Sequence, residues 1–307
     1  MPYLTSSDIT QKPGRIPVGE FYDNLVTDLT TALPLIAANN GPGRLNKNGV
    51  NAILSRLYLY MGRWQDAIDA ANEVTTPTAS RVNFTGIWND SNTAGVIFDI
   101  KLNQVNGETP GVSYNQTLPN GIRSEYVASF QLFQLYNSSD IRRTAYISTA
   151  PFDGQLYNHV IKYLSSVNNV ATGRVNVKVL RKAEVLLNKA EAQANLNQDV
   201  AALATLDELR SNRYAPFVAG TEVGQALKDV IQLERRLELA FEGHRFFDLK
   251  RQNKPIQRGP FGDFADGTGL LPLFPTLPAG DCRYNMPIPQ LELNVNPNMS
   301  QNECTFY

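Results

Sequence analysis

The sequence predicts a mainly α chain, built from antiparallel helix pairs with loop-rich insertions and a few short strands. Three observations carry this. Apolar residues recur at helical spacing over 13–35, 46–74, 178–213 and 221–243. Gly, Pro and Asn gather in the stretches between them. Only Gly95–Leu102 (GVIFDIKL) reads as a strand.

The first helix follows Pro13, Gly14 and Pro17, with Phe21, Leu25, Leu29 and Leu33 at a spacing of four, and ends at Pro34. Asn39–Gly43 is a loop. Asn46 or Asn48 then caps a second helix whose apolar stripe includes Val50, Leu54, Leu57, Tyr58 and Met61, with Gly62 closing it. Trp64 to Val74 forms the third, stopped by Pro77. In this pair Tyr58, Gly62, Ala67, Ala71 and Val74 fall where a tetratricopeptide unit places its aromatic, its turn glycine and its small packing residues. Small residues let two helices approach closely, and the aromatic fills the hole below them. Trp64 reads as core.

A weaker copy spans 178–213, with Ala183, Leu187 and Ala190 on one helix and Ala202, Leu206 and Leu209 on the next. A stable solenoid needs about three repeats, so other helices must complete this one. One candidate starts after a Thr221 cap, carries Val223, Leu227, Ile231, Leu237 and Phe241, and ends at Gly243. A short helix over His244–Arg251 follows. Asn103–Ser124 reads as loop and Tyr126–Tyr136 as helix. Residues 254–300 read as an ordered, irregular tail whose Phe261, Phe264 and Phe274 plug the helical core or, as the alternative, face a partner. We expect a single domain over 1–307, with helical units at 13–77 and 176–251, an insertion at 78–175 and a tail at 252–307.

Composition excludes several functions. The 307 residues hold 28 Lys+Arg against 29 Asp+Glu, a net charge of -1 that leaves no electrostatic footprint for nucleic acid. His159 and His244 are too few for a multi-histidine metal site, and no metal or cofactor is expected. No apolar run approaches the roughly 18 residues of a membrane span. Residues 1–20 lack the basic start and apolar stretch of a signal peptide. Cys282 and Cys304 form either one bridge or two free thiols. Charged residues make up 19%, below the roughly 25% of an ordinary domain, and about one residue in ten is Asn.

Against that low average, Glu234–Arg251 (ERRLELAFEGHRFFDLKR) is half charged. Glu238 and Glu242 sit one helical turn apart with His244 following, which raises the reading of a glycosidase carboxylate pair. Arg235, Arg236 and Arg245 stand beside them and would hold the carboxylates ionised, whereas a general acid needs a raised pKa. The preferred reading is a structural ionic motif of Glu234, Arg235, Arg236, Glu238, Glu242, His244, Arg245 and Asp248. No H-E-x-x-H or G-x-S-x-G is present.

For ligand contact the candidates are Tyr114, Asn115, Gln116, Arg123 and Tyr126, in and beside the 103–124 loop. Tyr supplies a flat apolar face and a hydroxyl, while Asn, Gln and Arg offer paired hydrogen bonds to vicinal hydroxyls. Trp88 (NFTGIWND) is a core aromatic or, alternatively, a platform for a sugar ring.

Four segments in this order, VNAILSRLYLYMGRWQDAIDAANEV at 50–74, RKAEVLLNKAEAQANLNQDVAALATLDELRSNR at 181–213, the charged run, and the tail MPIPQLELNVNPNMSQNECTFY, resemble the SusD/RagB family of outer-membrane nutrient-binding lipoproteins. ERR-x-ELAFEGHR-x-x-DL-x-R and IP-x-x-EL-x-x-NP-x-x-x-QN are the most specific matches, joined by Asp140-Ile141-Arg142-Arg143 and Lys162-Tyr163. The resemblance implies a SusD-like fold with tetratricopeptide-like units on one side and loops with short strands on the other. It implies a non-catalytic protein on the surface of Bacteroidetes cells, binding oligosaccharide and capping a SusC-like TonB-dependent transporter. It also implies a lipid anchor in a longer N-terminal region that this chain is expected to lack. Peptide or another nutrient as ligand, or a helical scaffold that binds only protein, are the alternatives.

Overall fold

A computed structural model describes residues 2–102, 109–164, 166–167, 170–171 and 173–306. The chain runs through α1 (Val18–Ala32), α2 (Lys47–Met61), α3 (Trp64–Asn72), α4 (Arg81–Ile87), β1 (Val96–Ile100), β2 (Gln116–Leu118), β3 (Gly121–Arg123), α5 (Phe130–Leu135) and α6 (Ile141–Tyr146). It continues with β4 (Ile147–Phe152), β5 (Gln155–Val160), β6 (Ser166–Val167), β7 (Val170–Ala171), β8 (Val177–Arg181), α7 (Lys182–Asn195), α8 (Asp199–Ser211) and α9 (Gly224–Glu238). It closes with α10 (His244–Arg251), β9 (Ile256–Gln257), β10 (Thr276–Leu277), a 3-10 turn (Cys282–Tyr284) and α11 (Gln290–Val295). The architecture is mainly α with few short strands. Its contacts group into a larger unit, Ala37–Arg245 with Arg258–Pro275, and a smaller one, Met1–Ile36 with Phe246–Gln257 and Thr276–Tyr307.

In the larger unit, Asn46 is the cap that starts α2, its side chain accepting from the Gly49 amide at 3.0 Å. Gly62 ends that helix at φ 71°, a left-handed turn that suits glycine, and α3 folds back against α2. The second pair, α7 with α8, does the same. The two pairs stack directly, α3 and α2 against α7, and α9 covers α7 as the layer that two repeats alone would lack. The core follows the predicted stripes, with Ala183, Leu187, Ala190, Ala202, Leu206 and Leu209 joined by Leu227 and Ile231 of α9.

Four expectations change. Trp64 is only half-buried, because it opens α3 and sits at the end of the helix pair instead of its centre. Thr221 does not cap α9. The Glu222 carboxylate takes its amide at 2.9 Å, Asp199 takes the Gly224 amide at 2.6 Å, and the helix begins after Val223. α9 also stops at Glu238, short of Phe241, where Phe241 and Gly243 adopt φ 67° and 82°. The 109–124 part of the predicted loop carries a β2–β3 hairpin instead, closed by Pro119-Asn120 and paired Gln116↔Arg123, Thr117↔Ile122 and Leu118↔Gly121. Residues 103–108 of that loop lie outside the described residues. A second hairpin, β4–β5, turns on Asp153-Gly154 with both φ positive, the Asp-Gly chemistry of a two-residue turn. The four strands form one antiparallel sheet, β2-β3-β4-β5, and β1 pairs with β8 separately.

Phe261 and Phe264 pack on this unit, edge-on to Phe130 and Tyr157 at 5.1 and 5.3 Å. Phe274 does not plug the core: it is 81% exposed.

In the smaller unit, α1 is amphipathic but buries no residue fully. Lys12 donates to the Val295 carbonyl at 2.5 Å, and Asn296 and Asn298 donate to Pro13 and Lys12 carbonyls at 3.1 and 2.6 Å, tying the N-terminal strap to the tail. Cys282 and Cys304 form a disulfide with Cα atoms 5.4 Å apart, which settles the alternative left open above. Reducing it is expected to lower the stability of this unit by about 2–4 kcal/mol, the usual effect of freeing a loop of this length. Urea unfolding followed with and without a thiol reductant checks this. Among the described residues no helix is long and apolar enough to cross a membrane.

Candidate functional site

Two arrangements in the larger unit stand out, one buried and ionic, the other exposed and aromatic. The ionic one forms around α9. Glu238 is fully buried and accepts from three guanidinium groups: Arg181 at 2.7 Å, Arg213 through two bonds at 2.9 and 3.1 Å, and Arg142 at 3.4 Å. Glu234, one turn earlier, takes Arg142 at 2.8 Å, Arg210 at 3.2 Å and the Tyr214 hydroxyl at 2.7 Å. Glu242 takes Arg181 at 2.5 and 2.9 Å and Lys162 at 2.6 Å. Asp140 completes the cluster, chelating Arg142 at 2.8–3.1 Å.

The partners are not the ones expected. Arg236, two residues from Glu238, lies on a different side of the helix from it. Arg235 donates instead to Asn188 of α7 at 2.7 Å, and Asn188 donates to Ser55 of α2 at 3.1 Å, a buried polar chain across three helices. Arg236 is half-buried and Arg245 is exposed. Asp248 pairs with Arg251 at 2.9 Å, within the smaller unit. His244 lies near Glu184, and burial lowers its pKa against the pull of that carboxylate. The cations that hold the glutamates come from α6, the β5–β6 connection, the end of β8, the last turn of α8 and the turn after it.

Burial alone would raise the glutamate pKa values, but the guanidinium groups outweigh it. Glu238 is held well below the ordinary carboxylate range by Arg213 and Arg181, and Glu242 falls to about 2 under Arg181 and Lys162. Burial brings Lys162 down to about 8 despite Glu242, with Arg181 pushing the same way, so it keeps its proton at pH 7. Its ammonium lies over the Tyr146 and Trp88 rings at 3.9 and 4.3 Å. A depressed folded-state pKa means the unfolded chain binds more protons below about pH 4.5. Stability from these carboxylates is therefore complete above that pH and is lost as pH falls from 4.5 toward 2. Circular dichroism across pH 2–7 should show a cooperative loss of helix in that window, and Glu242→Gln should make it shallower.

The aromatic arrangement is a row of three tyrosines. Tyr163 is anchored by its hydroxyl, which donates to the Phe241 carbonyl at 2.7 Å. Tyr114 stacks on it at 5.7 Å, and Tyr126 packs on Tyr114 at 6.3 Å. Tyr126 is 64% exposed and ends the row at the surface. On the β2–β3 hairpin that precedes it in the chain, Arg123 (exposed) and Gln116 (half-buried) are directly opposite each other. The hairpin is held from below: Ser124 bridges the Tyr114 carbonyl and His159 Nδ1, while the Ser113 carbonyl accepts from the Glu125 amide at 2.9 Å. Gly111 is needed under the row, because a Cβ there would stand 2.2 Å from the Tyr163 carbonyl oxygen.

Of the six predicted ligand residues, Tyr114 packs on Tyr126, and Gln116 pairs with Arg123 across the β2–β3 hairpin. Asn115 and Trp88 belong to neither pair. Asn115 is buried, and its backbone N–H donates to the Gly111 carbonyl. Trp88 is 3% exposed and enclosed by Phe84, Tyr146 and Lys162, so no sugar ring can reach its face. Tyr163 is the residue that reading the loop alone misses. Its signal was the Lys162-Tyr163 step: one residue serves the ionic cluster, the next orients the tyrosine row. Among the described residues no group of three or more His, Cys, Asp or Glu is placed to hold a metal ion.

Stacked tetratricopeptide-like pairs, locked by a buried ionic cluster and joined to a small antiparallel sheet, define a class of mainly helical proteins. The SusD family profile matches residues 103–307, and the chain belongs to that family. It is 26% identical to SusD-like protein P2 of Formosa agariphila over 94% of this chain and 65% of that protein. A shorter stretch, 39% of this chain, is 33% identical to SusD-like protein P38 of the same organism and covers 24% of it. The chain thus spans less than two thirds of the length of these curated relatives. Among solved structures, a SusD superfamily protein of Bacteroides thetaiotaomicron superposes with a TM-score of 0.80 at 25% identity, covering 98% of this chain and 70% of that one. A SusD-like carbohydrate binding protein of Bacteroides vulgatus gives 0.78 at 20% identity, covering 100% and 71%.

Proposed function

We propose that this protein binds oligosaccharide at the cell surface, without turnover, for delivery to a SusC-like TonB-dependent outer-membrane transporter. The single observation that carries the ligand assignment is the tyrosine row ending in exposed Tyr126, which follows the hairpin that pairs Arg123 with Gln116. An exposed aromatic face matches the C–H face of a pyranose, and the guanidinium and amide of the hairpin match its hydroxyls. Family membership supports the same reading, as does the name of the Bacteroides vulgatus protein with this fold. A lipid anchor, which the family resemblance implies, would hold the protein at the outer membrane.

Turnover finds no support in the charged run. Glu238 and Glu242 are buried, ionised and paired with Arg181, Arg213 and Lys162, whereas a general acid must keep its proton and reach the substrate. A glycan array probed with the purified chain tests the ligand class. Binding to one family of oligosaccharides is expected; an array without hits, combined with binding to a peptide library, would replace sugar by peptide.

A further inference from the structure

The larger unit holds a cleft that shares no residue with the Tyr114–Tyr126 surface. It lies between residues 215–223, the end of α5 and α9, and its volume is about 550 Å³. That is within the usual range of small-molecule sites, about 300–1,000 Å³. Phe217 in its lining is 36% exposed, and Leu135 and Leu233 are 36% and 37% exposed. Arg210, Tyr214, Glu222 and Glu234 supply the polar lining.

The ionised groups of that lining are paired with one another. Arg210 reaches Glu234 at 3.2 Å and Glu222 at 3.3 Å, with Asp207 at 3.5 Å behind. The Tyr214 hydroxyl donates to Glu234 and accepts from Arg142, both at 2.7 Å. An anion entering here would meet three carboxylates around one guanidinium. A cation would meet Arg210, and the most exposed acid, Glu222, already accepts from Arg210 and from the Thr221 amide. Either charge would have to break a pair in a partly dry site, which costs more than it returns. A neutral ligand breaks none. It finds aromatic and aliphatic surface together with hydroxyl and carboxylate oxygens that can accept hydrogen bonds.

We propose that this cleft is a second carbohydrate subsite that takes one neutral sugar ring, with Phe217 against its C–H face and Tyr214 and Glu222 toward its hydroxyls. The assignment rests on the cleft alone and does not depend on Tyr126 being a ligand contact.

Phe217→Trp places a fluorescent reporter in the cleft wall. Titration of the full chain with malto-, cello-, xylo- and laminaritetraose is expected to give a saturable emission change with at least one of them. Tetragalacturonate and chitosan tetramer are expected to give none. In saturation-transfer NMR, the responding sugar should still bind Tyr126→Ala, and adding Phe217→Ala should weaken that residual binding at least tenfold. A flat titration with all four neutral sugars, a larger response to either charged sugar, or residual binding unchanged by Phe217→Ala would each overturn the proposal. Failure of the Tyr126 surface alone would show separately, as wild-type affinity in Tyr126→Ala.

Discussion

Glu238→Ala is expected to be the most destabilising single substitution in the chain. Glu238 has no exposed surface and shares its two oxygens among Arg142, Arg181 and Arg213. Those arginines are themselves at most 3% exposed. Removing the carboxylate leaves buried positive charge without its central counter-ion, and breaking a buried pair from one side costs about 3–5 kcal/mol. Urea unfolding monitored at 222 nm should show the midpoint fall accordingly, or the variant should fail to fold. Glu238→Gln keeps the shape and loses the charge, so it should sit close to the alanine variant and far from wild type. If the glutamine variant matched wild type, the cluster would hold the fold by packing instead of charge.

The second large effect is on binding. Tyr126→Ala should weaken oligosaccharide affinity about tenfold or more, because a rigid exposed aromatic typically dominates such a contact. Unfolding should be unchanged, since Tyr126 is 64% exposed and touches the row only through Tyr114. Tyr126→Phe keeps the face and loses the hydroxyl, so it should retain most of the affinity. Isothermal calorimetry on the three proteins, with the strongest array hit, separates the contributions.

The parts of the fold that the sequence made legible are those written in local period. The helix pairs at 47–72 and 182–211 follow from stripes three and four residues apart and from Asn46 and Gly62 at their ends. The ionic cluster was visible as a concentration of charge, but its pairing was not. Glu238 meets arginines from positions 142, 181 and 213, and only the tertiary fold brings those together. The β2–β3 hairpin had a local signal that composition obscured: Pro119-Asn120-Gly121 is turn chemistry inside an Asn-, Gly- and Pro-rich stretch that reads as loop. At the candidate site the tyrosines at 114 and 126 came from composition alone. Burial, which no spacing rule supplies, moved Asn115 and Trp88 out of it and brought Tyr163 in behind it.

The central claim is binding without turnover. Calorimetry of the purified chain against an array-positive oligosaccharide, with reducing ends assayed in the same sample over a day, tests it most directly. The account predicts saturable heat and a constant number of reducing ends. A steady rise in reducing ends, abolished by Glu238→Gln or Glu242→Gln in protein that remains folded, would contradict it.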